Sequence, residues 1–354
     1  MKRKCLAVGI ILLFVGTCII PAIAQNIEPL AKSRGDWLYV GGGGPGNYSS
    51  IHEALIYAED GDTIFVYTGM HYSGGFTIKK SINLIGQDRD GTRIYQGFPY
   101  VIHVAADNVT IKGFTISGSS GEYWENAALY VASDNNEFTD LMFLANDGNG
   151  IFLKSSDGNI ISKNSFQRNR YAINSEHSIN NLIIYNSLGP GGIFLYGSSS
   201  NNTISYNQIR WNNPGIGLEQ SSKNIIEGNY LHSNTVGIEL YLSHSNIVKK
   251  NIIFSNELGI DLSNSGSNLF TQNSFILNTK HASFWNDWNL WVWNFWGLPH
   301  FFPQAIWGKR EGTLPGSEYN CFQVDLRPRL LPHMSSLIKV LLNLPYHWQE
   351  VSFL

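Results

Sequence analysis

Residues 224–245 read NIIEGNYLHSNTVGIELYLSHS, and residues 246–267 read NIVKKNIIFSNELGIDLSNSGS. The two segments align without a gap. Each opens on Asn and two aliphatic residues, carries further Asn residues at fixed offsets, and runs into a Gly-Ile-x-Leu stretch. The period extends in both directions. Asn159, Asn181, Asn202, Asn224, Asn246 and Asn268 are spaced 22, 21, 22, 22 and 22 residues apart. A second series runs Asn164, Asn186, Asn207, Asn229, Asn251, Asn273, and a third Asn212, Asn234, Asn256, Asn278. Gly/Ala-Ile pairs recur in phase, from Gly150-Ile151 to Gly259-Ile260.

Short alternating stretches such as Ile-x-Leu are the signature of strands with one buried face. Units of ~22 residues leave no room for the paired helices of a helical solenoid, and the Leu-rich consensus of leucine-rich repeats is missing. The sequence therefore predicts an all-β chain, a parallel β-helix solenoid of roughly ten coils with three short strands each. Ile216, Leu218, Ile238, Leu240, Ile260 and Leu262 are expected to stack inside. The recurring Asn residues are expected at the corners, in left-handed geometry, each bonded to its equivalent one coil away.

Upstream the signal weakens. Asn136 and Asn108 continue the first series at intervals of 23 and 28, the longer one explained by an insertion at residues 118–126, GSSGEYWEN. Residues 50–59, SIHEALIYAE, predict a short helix with Ile51, Leu55 and Ala58 on one face and Ser49 or Ser50 as N-cap. Such a helix would cap the open first coil. Residues 41–46, GGGGPG, read as a lead-in ahead of the first strand and the helix, and not as a phosphate cradle.

Residues 48–60 (YSSIHEALIYAED), followed by GDTIFVYTGMHY and IKKSINLIGQD, resemble the opening of secreted right-handed β-helix proteins. The likeness is to NosD-like proteins of the carbohydrate-binding and sugar-hydrolysis domain type, and more distantly to pectin methylesterases. Asn294-Phe295-Trp296-Gly297 is similar to the NYWG-type ending of NosD-like chains. The resemblance implies a right-handed solenoid over residues 36–297. It implies no single activity, since the family spans hydrolases, lyases, binding modules and copper-site maturation proteins. The composition resembles that of β-helix proteins exported by methanogenic archaea.

Residues 1–24 carry a basic start, an apolar run and Ala22-Ile23-Ala24 before Gln25, a secretory signal peptide. Cys5 and Cys18 would leave with it, so Cys321 alone remains and no internal disulfide holds the fold. No membrane span is expected after cleavage, and the expected location is secreted or cell-surface. Sequons at Asn47, Asn108 and Asn201 are glycan acceptors if the host glycosylates exported chains. A net charge of −3 excludes the basic footprint of a nucleic-acid binder. Charged residues are only 14%, so neutral polar groups must solvate the surface.

Six of the ten Trp fall between Trp285 and Trp307, read as a cap over the last coil, with a sugar-stacking platform as the rival reading. Residues 298–354 form an aromatic and apolar tail to which the sequence assigns no role; a docked tail, a subunit contact and a divergent end stay open.

A β-helix carries function on outward side chains, in columns spaced by about 4.8 Å per coil. Aligning the Gly-Ile-x-Leu-x strands gives one column Phe152, Asn174, Phe194, Gly217, Glu239, Asp261 and another Lys154, Glu176, Tyr196, Glu219, Tyr241, Ser263. Glu239 and Asp261 become neighbours, with Glu219 diagonal to Glu239. Stacked carboxylates destabilise a sheet unless protonation, a ligand or a cation relieves them. Glu219, Glu239 and Asp261 are thus the candidate catalytic groups of a polysaccharide-active enzyme, for glycoside hydrolysis uses a carboxylate pair. Phe194, Tyr196 and Tyr241 are the candidate ligand-binding groups. The bland alternative is a solvated acidic face. The sequence favours a non-catalytic module that binds polysaccharide or serves the cell envelope, with polysaccharide or cell-envelope glycan as the expected partner. No cofactor is expected, calcium being the one such a column would accept. A NosD-like copper role is disfavoured by scattered His and few Met.

Overall fold

The computed structural model describes residues 35–121, 123–297, 303–311, 318–325 and 328–329. The leader and residues 330–354 lie outside the described residues. From Gly35 the chain winds into a parallel β-helix of about 12 turns, with one helix among the described residues, Ile51–Tyr57. The repeat count suggests roughly ten, because the coils before Asn136 wind without the Asn signature.

Each repeat makes three strands. In residues 224–245 they are Ile225–Glu227, Tyr230–His232 and Val236–Tyr241, which define a first, second and third face. Every strand pairs in parallel with its equivalent one coil on, as in Ile225↔Ile247, Tyr230↔Ile252 and Ile238↔Ile260. Ile226, Leu231, Ile238 and Leu240 point inward and are fully buried. Their equivalents stack into one continuous core. Burial stabilises each such side chain by about 1.5–3 kcal/mol, so the stack is the main favourable term. Aromatic residues stack inside too, Phe143 on Phe166 at 4.8 Å and 7°.

The corners leave buried backbone N–H groups that no strand satisfies, and the Asn series satisfy them. Asn229 Oδ1 accepts from the backbone N–H of Asn207 (2.9 Å) and from its Nδ2 (3.0 Å). Asn229 Nδ2 donates to Ile204 O (2.8 Å) and to Asn251 Oδ1 (3.0 Å). The first series runs in the same way to Asn289, and the third from Asn212 to Asn278. A Ser series does the same work three residues before the first Asn series, on the same turn, from Ser221 to Ser243 to Ser265.

The expected bonding between equivalent Asn residues is present, but the left-handed geometry falls on other residues. It belongs to the residue just before each ladder Asn: Lys163, Tyr185, Tyr206, Lys250 and Trp293 precede members of the second series at φ of 54–59°. That residue turns the corner with its side chain in water, which swings the following Asn inward. Asn108 is itself such a corner residue, at φ 58°. The first ladder starts one residue later, at Val109, whose N–H donates to Asn136 Oδ1 at 2.8 Å.

Both ends are closed. Ser50 caps the helix by accepting from Glu53 N–H, while Ser49 donates to the Glu53 carboxylate. Ile51, Ala54 and Ala58 are buried, Leu55 only partly. Lys80 Nζ reaches the carbonyls of Leu55, Ile56 and Ala58 and covers the helix C-terminus. The glycine-rich stretch does not lead the fold: the strand Trp37–Val40 precedes it, and residues 41–46 link that strand to the helix.

At the other end, strands Gln304–Glu311 and Glu318–Asp325 form an antiparallel hairpin that continues the third and first faces through Trp285↔Lys309 and Trp291↔Asp325. The hairpin terminates the ladders. Gln323 Oε1 accepts from Asn289 N–H (3.1 Å) and Trp291 Nε1 (2.9 Å). Asp325 Oδ2 accepts from Asn294 N–H, Asn294 Nδ2 and Trp296 Nε1. Asp287 accepts from Ser265 N–H and ends the Ser series. The Trp-rich segment divides accordingly. Trp291 and Trp296 cap the core, stacked on Phe270 (4.1 Å) and Phe275 (4.4 Å), whereas Trp288, Trp293 and Trp307 are exposed.

Candidate functional site

The third face carries both outward columns in the register read from the sequence. Gly217 pairs with Glu239, Glu239 with Asp261, and Asp261 with Ser283. Glu219 pairs with Tyr241, Tyr241 with Ser263, and Ser263 with Trp285. Glu239 and Asp261 are therefore direct neighbours and Glu219 is diagonal to Glu239. Phe194 and Tyr196 lie upstream, opposite Asn174 and Glu176.

The centre of the face is half-buried and acidic. Glu239 has its carboxyl held above the usual range, first by burial, then by Asp261 and Glu219. Burial also raises Asp261, against the pull of Lys280 and the Leu262 N–H. Apolar surface beside them comes from Phe194. Its ring fills the space over Gly217, where a Cβ would meet it at 2.9 Å. Glu219 and Tyr241 are more open to water.

An aromatic block stands on the upstream side, where Phe152, Lys154, Glu176 and Tyr196 of the sequence columns meet Tyr100, Trp124, Glu125 and Tyr130, which the columns do not include. Tyr100 and Tyr130 stack at 4.2 Å, and Tyr130 stacks on Phe152 at 5.6 Å. The insertion folds down here. Trp124 meets Phe152 (5.4 Å) and Tyr196 (5.5 Å) edge-on, and Lys154 Nζ sits 5.2 Å from its ring centre. Lys154 bonds both Glu125 (3.2 Å) and Glu176. Burial lowers the Lys154 ammonium pKa, but these two carboxylates outweigh it and leave it raised. The Tyr196 hydroxyl is buried without a hydrogen-bond partner. Its pKa is pushed well up, first by burial and then by Glu176, Glu125 and Glu219.

Downstream, an open groove of about 490 Å³ begins at Asp261 and is lined by Ser263, Lys280, Ser283, Trp285, Trp307 and Lys309. The hairpin supplies its far wall, so no repeat pattern announced Trp307 or Lys309. Lys280 donates to Ser283 Oγ (2.8 Å) and Lys309 pairs with Glu318 (3.1 Å). A second groove, lined by Asp88, Arg89, Asp90, Lys112 and Asp140, lies on another face, and there Arg89 pairs with Asp90 and Asp140.

The face thus offers two acidic neighbours with raised pKa values between two aromatic and Lys-bearing blocks. Such a surface suits the flat faces and hydroxyls of a sugar chain. Among the described residues, no group of three or more His, Cys, Asp or Glu converges as a metal site. Nor is any helix among them long and apolar enough to cross a membrane.

Comparison with solved structures gives fold likeness at low identity. A surface adhesin of Streptococcus pneumoniae, PfbA, superposes with a TM-score of 0.51 at 12% identity, over 78% of this chain and 94% of that one. The A-module of a mannuronan C-5 epimerase of Azotobacter vinelandii, AlgE6, gives 0.47 at 14%, over 79% and 90%. A second A-module from that organism, AlgE4, gives 0.44 at 14%, over 67% and 75%. No curated protein matches the sequence. The family described as "Right handed beta helix region" matches residues 100–213 and 172–292, which fixes the hand of the solenoid. On that match, extending over more than half of its length, the chain belongs to the right-handed β-helix family.

Proposed function

We propose that the third face is a glycan-binding groove and that the protein is an exported β-helix module, secreted or held at the cell surface. The observation that carries this is the single run of outward side chains from Tyr130 to Trp307, with aromatic rings on both sides of the Glu239–Asp261 pair. Each coil adds about 4.8 Å along the face, so rings on successive coils would follow a sugar chain laid along the solenoid axis. Phe194, Tyr196 and Tyr241 belong to that path, as do Trp285 and Trp307. The NosD-like character, the archaeal source, the leader at 1–24 and the division at residue 297 form part of the same reading. Calcium between Glu239 and Asp261 would be an accessory to binding.

A second reading has a specific observation in its favour. Glu239 resists ionisation partly because of the Asp261 carboxylate beside it, while Lys280 and the Leu262 N–H favour the charged form of Asp261; acid–base catalysis needs one carboxyl to donate a proton while its neighbour stays charged. Glu219, Glu239 and Asp261 would then act on a glycosidic bond.

The test is a polysaccharide panel, with and without calcium, read both by binding calorimetry and by mass spectrometry of released products. The panel is applied to the chain from Gln25 onward and to its Glu239→Gln and Trp285→Ala/Trp307→Ala variants. Binding lost in the Trp variant, with no product from any protein, supports the groove. Product from the parent that Glu239→Gln abolishes establishes the enzyme instead. Binding that survives both sets of substitutions places the ligand elsewhere and overturns both readings.

A further inference from the structure

The first face changes character along the solenoid. In each coil the middle residue of its strand points into the core, as Ile183, Ile204, Ile226 and Val248 do, and the residues on either side point out. After Trp37 the leading outward position is polar for four coils: Thr63, Asn83, Thr110 and Glu137 lie side by side. From Ile160 onward it is aliphatic, through Leu182, Ile225, Ile247, Leu269 and Leu290, with Thr203 the one interruption. Each of these aliphatic side chains is partly open, and Leu290 is 51% exposed. Strand propensity acts on every coil, so it does not explain an apolar stripe confined to the later ones. A continuous aliphatic column left open to water marks an interaction surface.

The stripe matches a second copy of itself. Its strands from Leu182–Ile184 to Leu290–Val292 are symmetric in polarity about a line between Ile225–Glu227 and Ile247–Lys249. A two-fold axis along that line, parallel to the strands, lays two solenoids face to face with their long axes antiparallel. Ile225 then faces the second copy's Ile247, and Glu227 faces its Lys249. One coil further out, Ser205 meets Thr271 and Thr203 meets Leu269. At the ends Leu182 meets Leu290, Ile184 meets Val292, and the exposed corner residue Tyr185 meets the exposed Trp293. Within one chain Glu227 already pairs with Lys249 (3.0 Å) and Lys250 (3.1 Å). The two-fold joins both sets into one cluster of alternating charge. Moving the axis onto either central strand would instead set Glu227 against Glu227 or Lys249 against Lys249, so the charges select one register. Six coils at about 4.8 Å, with about five residues across at 3.3 Å, make a strip of about 29 by 16 Å. That is on the order of 900 Å² over both copies, the size of a reversible interface and not of an obligate one.

We propose that the first face from Leu182 to Trp293 is a self-association surface, on which two copies of the chain pair face to face and antiparallel. An interface of this size corresponds to a dissociation constant of about 1–100 µM. The strands of the third face take no part in it, so the dimer forms whatever that face binds.

The test is sedimentation equilibrium of the chain from Gln25 onward, at concentrations spanning that range. Glu227→Lys and Lys249→Glu are prepared separately and then mixed. Either substitution alone puts two like-charged pairs across the axis and should weaken association at least about tenfold. Mixed, the two variants set Lys against Glu at both positions and should associate within about threefold of the parent. A parent that stays monomeric, single variants that associate as the parent does, or a mixture as weak as its components would each overturn the proposal. A second readout does not depend on charge. Tyr185→Cys and Trp293→Cys are combined in one chain on a Cys321→Ser background. The two cysteines stand about 24 Å apart along one solenoid, too far for a disulfide within the chain, yet they face each other across the interface. Mild oxidation should convert the double variant to a covalent dimer and leave Tyr185→Cys alone monomeric. Monomer from the double variant, or equal dimer from the single one, would also overturn the proposal.

Discussion

Replacing Asn229 tests whether the ladders hold the backbone or merely decorate it. Asn229 is fully buried at the middle of the second series. Asn229→Ala removes the acceptor for the Asn207 backbone N–H and for Asn207 Nδ2, and the donor to Ile204 O and Asn251 Oδ1. Asn207 Nδ2 keeps Ile183 O at 2.9 Å, so it is not stranded. The Asn207 N–H has no such reserve. A buried donor left unpaired costs about 1–3 kcal/mol, and each further lost bond about 1 kcal/mol. The expected loss is about 3–5 kcal/mol. Asn229→Asp keeps both acceptor functions, yet turns a carboxylate toward Ile204 O and Asn251 Oδ1. It should be at least as damaging at pH 7 and partly recover in acid. Asp325→Asn is the control. Asp325 ends the same series, and Asn in its place keeps an acceptor for the Asn294 N–H and Nδ2, so Asp325→Asn should cost less than Asn229→Asp. Urea unfolding followed by circular dichroism would give all three values. A loss below about 1 kcal/mol for Asn229→Ala would refute the argument. So would an Asp325→Asn as costly as Asn229→Asp.

Other perturbations give distinct readouts. Asp287 is fully buried and its pKa is raised to about 6 by burial, against the Ser265 and Trp285 N–H groups, from an ordinary 3.8. A raised carboxyl favours the fold below its unfolded pKa, and that contribution is lost as pH climbs through the folded value. Asp287→Asn should therefore stabilise the protein at pH 8 by on the order of 3 kcal/mol and by nothing near pH 3.5, read from melts across that range; a gain independent of pH would count against it. Glu239→Gln should raise the melting temperature at pH 7 and leave it unchanged at pH 3.5, because it removes a half-buried charge beside Asp261. Gly217→Val should push the Phe194 ring aside and weaken any third-face ligand more than it alters stability, checked by binding and melting on the same sample. Lys80→Met should free three carbonyls at the helix C-terminus and cost about 1–2 kcal/mol.

The solenoid was legible because its regularity is written in residues with one physical job. An Asn that must accept from one coil and donate to the next cannot be exchanged for Ser or Asp, so the period survives in the sequence. The same argument explains where reading failed. Corner residues are free to be Lys, Tyr, Trp or Ser at positive φ, since their side chains stand in water. They left no pattern, and the left-handed geometry was placed one residue too late. The N-terminal coils use Val109 where Asn would announce a coil. The acidic centre of the candidate site was visible because it falls in the repeat register. Trp124 and Trp307 on its two flanks were not. Trp124 comes from an insertion and Trp307 from a hairpin, and non-periodic segments reach a face only through tertiary packing. The strand Ile252–Phe254 is legible in another way: Ile252-Ile253-Phe254 does not alternate, and all three side chains are buried.

The ladders also explain why a site can exist on the third face at all. Backbone geometry in each coil is fixed from within, by Asn and Ser side chains and by the aliphatic stack. Outward side chains on the strands carry almost none of that load. They vary from Phe194 to Gly217 to Glu239 to Asp261 along one column while the backbone register stays constant. Two destabilising features are tolerated there that an ordinary sheet would select against: adjacent carboxylates, and a glycine in mid-strand under an aromatic ring. Cost without structural return is a mark of function. Substitutions at Glu239, Asp261, Trp285 or Trp307 should therefore leave the fold intact or more stable while changing what the face binds. Substitutions at Asn229 or Gln323 should loosen the fold and affect binding only through it. If Glu239→Gln destabilised the protein, the acidic pair would have to be assigned to the scaffold.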